Sequence, residues 1–324
     1  MLRTLALLCF VARTAAAQIV RLPLDSLPIV ARIPVPARPD WLAMGFGSVW
    51  VVDYRPPSLV RIDPNTNQVV ASIPLSGHAC LGIAVTASAL WVADCEHHVV
   101  AEIDPAKNTV VRTLTVDFNV DDEGAFAAVD GSLWLFVTDS TAKGALLERI
   151  DPVSGRVQAR VGVGAGSYVV AGDSTALWVS STHGAALERI DPTKNAVVAN
   201  VPVTPRPKFL AVGAGGVWVL HQRTGSVSAI DVTTNEFTAS VPAGVPTPWG
   251  DIATGAGAVW VSVDGTPVTR IDPATHVVTH QFVGGSGADA IRFGFGSLWV
   301  SDHEHGEVWR IDPSRIMAPA GKRH

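Results

Sequence analysis

Short apolar runs recur along this chain, each broken by glycine, proline or asparagine before a helical face can form. In the first complete unit, Trp41-Leu42-Ala43-Met44 leads into a Gly45-Phe46-Gly47-Ser48 turn and then Val49-Trp50-Val51-Val52. The stretch 58–62, the turn Asp63-Pro64-Asn65-Thr66-Asn67 and the alternating segment 68–74 follow. Strand-length runs separated by such turn residues predict four strands, A to D, joined by hairpins. The unit returns seven times. Its tryptophans are Trp50, Trp91, Trp134, Trp178, Trp218, Trp260 and Trp299, each followed about a dozen residues later by Ile-Asp. The aspartates of those pairs are 41, 47, 40, 40, 41 and 40 residues apart, and proline follows six of the seven, Val232 replacing it in the fifth. A period near forty built from short strands predicts one sheet per repeat, stacked radially. The expected fold is all-β: a seven-bladed β-propeller of four-stranded antiparallel blades over residues 18–316.

The seventh unit supplies only three strands, 288–293, 297–301 and 308–311, while an unpartnered strand, 29–34, precedes the first unit. The N-terminal strand is therefore expected to complete the last blade and close the ring, since an open sheet edge would remain otherwise. Residues 317–324 form a polar tail. Seven equivalent tryptophans and seven Ile-Asp pairs point to blade packing and turn capping; function is sought where the copies differ.

At the N-terminus, Arg3, the apolar stretch 5–12 and Ala15-Ala16-Ala17 have the layout of a signal peptide over residues 1–17, cleaved before Gln18. No segment approaches the length of a membrane span. The expected protein is secreted or periplasmic. Without residues 1–17, 22 Lys and Arg face 29 Asp and Glu, a net charge of −7, which argues against a nucleic-acid surface. The two cysteines left, Cys80 and Cys95, flank a hairpin turning at Ala87-Ser88. In a two-residue hairpin, residues whose numbers sum to 175 face each other, as these do, predicting a cross-strand disulfide; two packed free thiols are the alternative.

Loops entering strand A and loops from B to C should open on one face, around the channel mouth. Strand B ends in Asp53, Asp94 and Asp302 in units one, two and seven, which become neighbours once the ring closes. Tyr54, then Glu96 and His97, then His303, Glu304 and His305 follow them, so that two units share Asp-x-Glu-His. His183 and His221 come from other B–C loops. The loops into strand A add Arg38, Asp40, His78, Tyr168, Arg206, Lys208, Trp249, Asp251 and Asp289. These residues are the candidate ligand-binding set. Three readings stay open: solvated loop residues; a divalent metal (Mg, Ca or Zn) held by Asp94, Glu96, His97, Asp302, Glu304 and His305; or acid–base chemistry by His221, His305 or His97. The acidic run Asp117, Asp121, Asp122 and Glu123 falls in the long 47-residue interval and lacks the spacing of a calcium loop.

The units GFGSVWVVD…LVRIDPNTNQVVASIPL and GFGSLWVSD…VWRIDP resemble the YVTN-type β-propeller repeat family and are similar to repeats of the virginiamycin B (streptogramin) lyase family. The first resemblance implies an exported binding or scaffold protein. The second implies seven blades and a metal-dependent elimination that opens a cyclic depsipeptide, with a histidine base near the channel mouth. This chain has Trp-Val where the lyase repeat has Trp-Phe-Thr-Glu, so no family residue maps onto a numbered position here. The leading expectation is a monomeric, non-catalytic propeller that binds a small molecule, peptide or protein on its His/Asp-rich face. The alternative is a metal-dependent lyase or hydrolase.

Overall fold

In a computed structural model describing residues 19–36, 38–116, 124, 126–137 and 145–317, each repeat folds as one antiparallel sheet. The signal segment, the acidic run at 117–123 and residues 318–324 lie outside the described residues; the expected tail begins as the last residue of a helical turn, Ser314–Met317. Seven sheets form a ring. The first blade has strand A at Pro39–Gly45, B at Ser48–Tyr54, C at Pro57–Asp63 and D at Gln68–Pro74. The A strands touch one another around the axis, and the D strands face outward. The closing strand, Ile29–Pro34, pairs antiparallel with Glu307–Ile311 of the seventh blade.

Strand B is apolar on both sides because its faces pack against two neighbouring blades; Val49 through Val52 are wholly buried. The A–B turn of the first blade has Phe46 at φ 50° and Gly47 at φ 68°, the paired positive values of a two-residue hairpin whose twist matches its strands. The buried tryptophan ties that turn down: Trp50 Nε1 donates to the Gly45 carbonyl at 3.0 Å, and Trp260 and Trp299 repeat the bond.

The turns that follow each Ile-Asp pair carry a second device. Asp63 Oδ1 accepts the Asn65 amide at 2.8 Å, and Asp231 and Asp272 cap their own turns in the same way. Asn67 closes the first turn at φ 58°, a left-handed value that asparagine tolerates. Its Oδ1 then faces the preceding blade. Arg61 crosses the Trp50 ring and donates to the Pro105 carbonyl (2.7 Å) and Asn108 Oδ1 (2.9 Å) of the second blade. Arg149, Arg189 and Arg310 make the same reach into the fourth, fifth and first blades.

Three junctions depart from this rule, and each is secured differently. In the second blade Glu102 occupies the arginine position; Arg112, on strand D, pairs with it and reaches the Val153 carbonyl of the third blade at 2.9 Å. In the fifth blade the position is Ala229, and His276 from the sixth blade's turn lies over Trp218 instead, 5.6 Å between centroids. Between the sixth and seventh blades the chain itself makes the connection. Val20–Pro23 adds a parallel fifth strand to the sixth blade, in register from Val20↔His280 to Pro23↔Val283, before the chain crosses to the seventh. That fifth strand was not expected from the sequence: it is too short and too exposed to show a periodic pattern.

Cys80 and Cys95 form a disulfide with Cα atoms 6.0 Å apart, inside the usual range. The expected register is corrected at that end. Ile83↔Val92 and Val85↔Leu90 keep the sum of 175, but a bulge shifts the ladder so that Ala79 faces Asp94. The cysteines therefore bridge diagonally, and the Cys95 amide donates to the His78 carbonyl at 2.8 Å.

Candidate functional site: the mouth of the central channel

Loops into strand A and loops from B to C meet at one end of the ring, around a cavity of about 220 Å³. Trp41 and Phe209, from the first and fifth blades, meet edge-to-face with centroids 5.6 Å apart and make its floor. Tyr54 stacks on His78 at 4.2 Å to form one wall. Trp249, 53% exposed, stands at the rim. Lys208 Nζ lies 4.9 Å from the Phe209 centroid, a cation–π contact that holds the ammonium at the floor. Arg38 adds a second cation, and Asp40, Asp251 and Asp289 supply carboxylates. Asp289 accepts the Gly250 amide at 3.1 Å, and His303 Nδ1 stands 3.9 Å from its other oxygen.

A second cavity of about 300 Å³ lies along the channel and shares Trp41, Phe209 and Asp251 with the first. Its lining is apolar except for one ion pair. Asp251, buried at 4% exposure, accepts from the Arg292 guanidinium and from the Ile252 amide at 2.8 Å.

Nine of the candidates thus line one cavity; the others do not. Asp53, Asp94 and Asp302 are buried caps of their own B–C loops. Asp53 accepts the Arg38 and Arg55 amides at 3.1 and 2.9 Å. Asp94 accepts Ser76 Oγ at 2.5 Å, the His97 amide at 3.2 Å and His97 Nδ1 at 2.9 Å. Burial alone would raise the Asp94 carboxyl, but these bonds outweigh it and hold the group below the ordinary carboxylate range. Asp302 repeats the pattern with His305, 2.9 Å away, whose imidazole is held above its ordinary value by that bond. The glycines opposite make room: a Cβ on Gly77 or Gly287 would collide with the Asp94 or Asp302 carboxylate. The shared Asp-x-Glu-His is therefore a loop-closing motif. Its two copies lie on either side of the first blade, and among the described residues no three His, Cys, Asp or Glu side chains gather as a metal set.

His221 lies inside the fifth blade at 1% exposure, Nε2 2.8 Å from Ser228 Oγ. Burial pushes its pKa down, outweighing the opposing effect of backbone carbonyls at Pro205 and Arg206. His183 and Arg206 line a neighbouring groove. Tyr168 belongs to strand A of the fourth blade, Ser167–Gly172, and its side chain lies outside the described residues.

The sequence reading missed Trp41, Phe209, Gln222, Gly250 and Ala290. Most of the signal was available in the repeat. Nine residues ahead of each repeat tryptophan stand Trp41, Gly82, Ala125, Val169, Phe209, Asp251 and Ala290, a position that varies from bulky to absent side chain. One residue earlier come Asp40, Lys208, Gly250 and Asp289 among others, all four on the cavity. Seven residues ahead, six repeats have alanine and the seventh has Arg292.

No protein-family model matches the chain, and no curated protein sequence matches it. Several solved structures match in fold. A streptogramin B lyase structure does so with a TM-score of 0.69 at 14% identity, over 87% of this chain and 96% of that one. Hydrazine synthase from Kuenenia stuttgartiensis gives 0.70 at 13% identity, over 87% and 97%. BamB from Moraxella catarrhalis gives 0.63 at 14% identity, over 96% and 98%. At such identities the likeness is one of fold, and function must be argued from the site.

Proposed function

We propose that this propeller is an exported binding protein that takes a small molecule or a short peptide in the channel-mouth cavity, without catalysis. One observation carries the reading: repeat positions that differ from blade to blade converge on one concave site with four aromatic side chains and charges of both signs. Ligand pockets are concave and combine apolar or aromatic walls with placed polar groups; here four aromatic side chains stand among eight polar or charged ones. None of the three histidines weighed for acid–base chemistry, His97, His221 and His305, lines that cavity; the histidines that do are His78, stacked on Tyr54, and His303, 3.9 Å from Asp289. Export is supported by the layout of residues 1–17 and by the Cys80–Cys95 disulfide.

The test is calorimetric titration with a panel of short peptides bearing an N-terminal aromatic residue, using wild type and Trp249→Ala. The indole is half exposed, so its loss should change stability by no more than about 0.5 kcal/mol. Binding that disappears in the variant with the melt unchanged supports the mouth as the site. Equal binding by both proteins would place the ligand elsewhere.

A further inference from the structure

The mouth cavity has a neighbour on the same face. A groove of about 600 Å³ adjoins it between the fourth, fifth and sixth blades, with Lys208 and Gln222 lining both. The titratable side chains lining that groove are His183, Arg206, Lys208 and Arg223, without one carboxylate. The chain as a whole carries net charge −5, so a groove of one positive sign runs against its composition. Among the described residues neither Arg206 nor Arg223 makes an ion pair with a carboxylate.

Arg206 and Lys208 are held on fixed backbone. Arg206 has φ 62°, in the left-handed region, and its amide donates to the Gly184 carbonyl at 3.1 Å. Val203 donates to Ala185 at 2.8 Å and Lys208 to Leu220 at 3.0 Å, pinning the loop on both sides. Ser180 Oγ donates to the Lys208 carbonyl at 2.7 Å, and the buried Gln222 is anchored through Nε2 to the Gly250 carbonyl at 3.0 Å. A loop fixed this tightly loses little freedom on binding. Non-glycine residues persist at positive φ where the surrounding structure over-determines them, often at ligand sites.

We propose that this groove is an oxyanion subsite: it takes a carboxylate or phosphate group of the ligand whose apolar part occupies the mouth. The inference rests on the mouth-binding reading and extends it from a cavity to a ligand class, an extended molecule with an anionic end. Arginine suits that role because its planar donors match two oxygens of a carboxylate or phosphate.

The experiment compares three forms of one aromatic tripeptide, ending in a free carboxylate, a carboxamide or a phosphoserine amide. Each is titrated into wild type and the double variant Arg206→Asn/Arg223→Gln; asparagine is chosen because it tolerates the left-handed turn. Inorganic phosphate alone is followed by thermal melt of both proteins at low ionic strength. Charge-assisted hydrogen bonds of this kind predict about ten-fold tighter binding of either anionic form than of the amide in wild type. The double variant should bind all three as wild type binds the amide, and phosphate should raise only the wild-type midpoint. Preference for the phosphate form over the carboxylate, or the reverse, identifies the source of the oxyanion.

The subsite is overturned if amide and acids bind wild type equally, or if the double variant keeps the preference. Should no peptide bind at all, the mouth reading fails. The phosphate melt then decides the groove separately, a wild-type-only shift upholding it and none refuting it.

Discussion

Arg292 stands where six other repeats carry alanine, and it pairs with Asp251, which is equally out of place at its own repeat position. Neither charge would survive in the channel alone. Arg292→Ala restores the repeat residue but strands a buried carboxylate, and should cost about 3–5 kcal/mol in a denaturant melt. The double variant Asp251→Ala/Arg292→Ala should recover most of that loss, since both charges then leave together. Two histidines give opposite signatures with pH. His221 is depressed by burial, so its contribution is present above the ordinary histidine value of 6.5 and is lost as pH falls. His305 is raised by Asp302, so its contribution is complete below 6.5 and is lost as pH rises through the folded value. His305→Ala should therefore lower the melting midpoint more at acidic than at alkaline pH. His221→Leu should show the reverse, its penalty shrinking as the solution is acidified.

At the scale of elements, the recurring object is the junction between blades. Arg310 crosses Trp299 and reaches Asn67 Oδ1 at 2.9 Å, linking the last blade to the first. Asn67→Ala removes that acceptor and puts alanine at φ 58°, so about 2 kcal/mol should be lost in a thermal melt. The sixth-to-seventh junction depends on residues 20–26 instead, with Leu22 and Leu24 half-buried against the cluster around Phe282. Removing the chain through Ser26 keeps the closing strand and should cost a comparable amount, about 2 kcal/mol of apolar burial. The blade plan was legible because strand period, turn residues and the tryptophan all repeat. The junction exceptions were not. That His276 would replace an arginine over Trp218 depends on two residues far apart in sequence, Ala229 and His276, which no local pattern connects.

At the scale of the molecule, the ring decides which loop residues meet. The sequence placed the candidates on one face but could not separate side chains that line the mouth from those that cap their own loops. Asp94 and Asp302 look like ligands in the sequence because their motif ends in histidine, and that histidine closes the loop it belongs to. Because the described donors gather only in pairs, the melting midpoint should be unchanged by EDTA and by returning Mg, Ca or Zn; a drop reversed by one ion would revive the metal-dependent alternative. The same closure has a kinetic side. Arg32 and Glu307, joined across the closing pair, are 275 residues apart in sequence. The closing strand must wait as an unpaired edge until nearly every other blade exists. So distant a pairing pays its loop-closure entropy before any contact rewards it, which predicts that ring closure is the slow step of folding and that the waiting edge is where aggregation starts. A circular permutant that places residues 19–36 directly after residue 317 would turn that pairing into a local hairpin, and should refold faster with less aggregate at the same final stability.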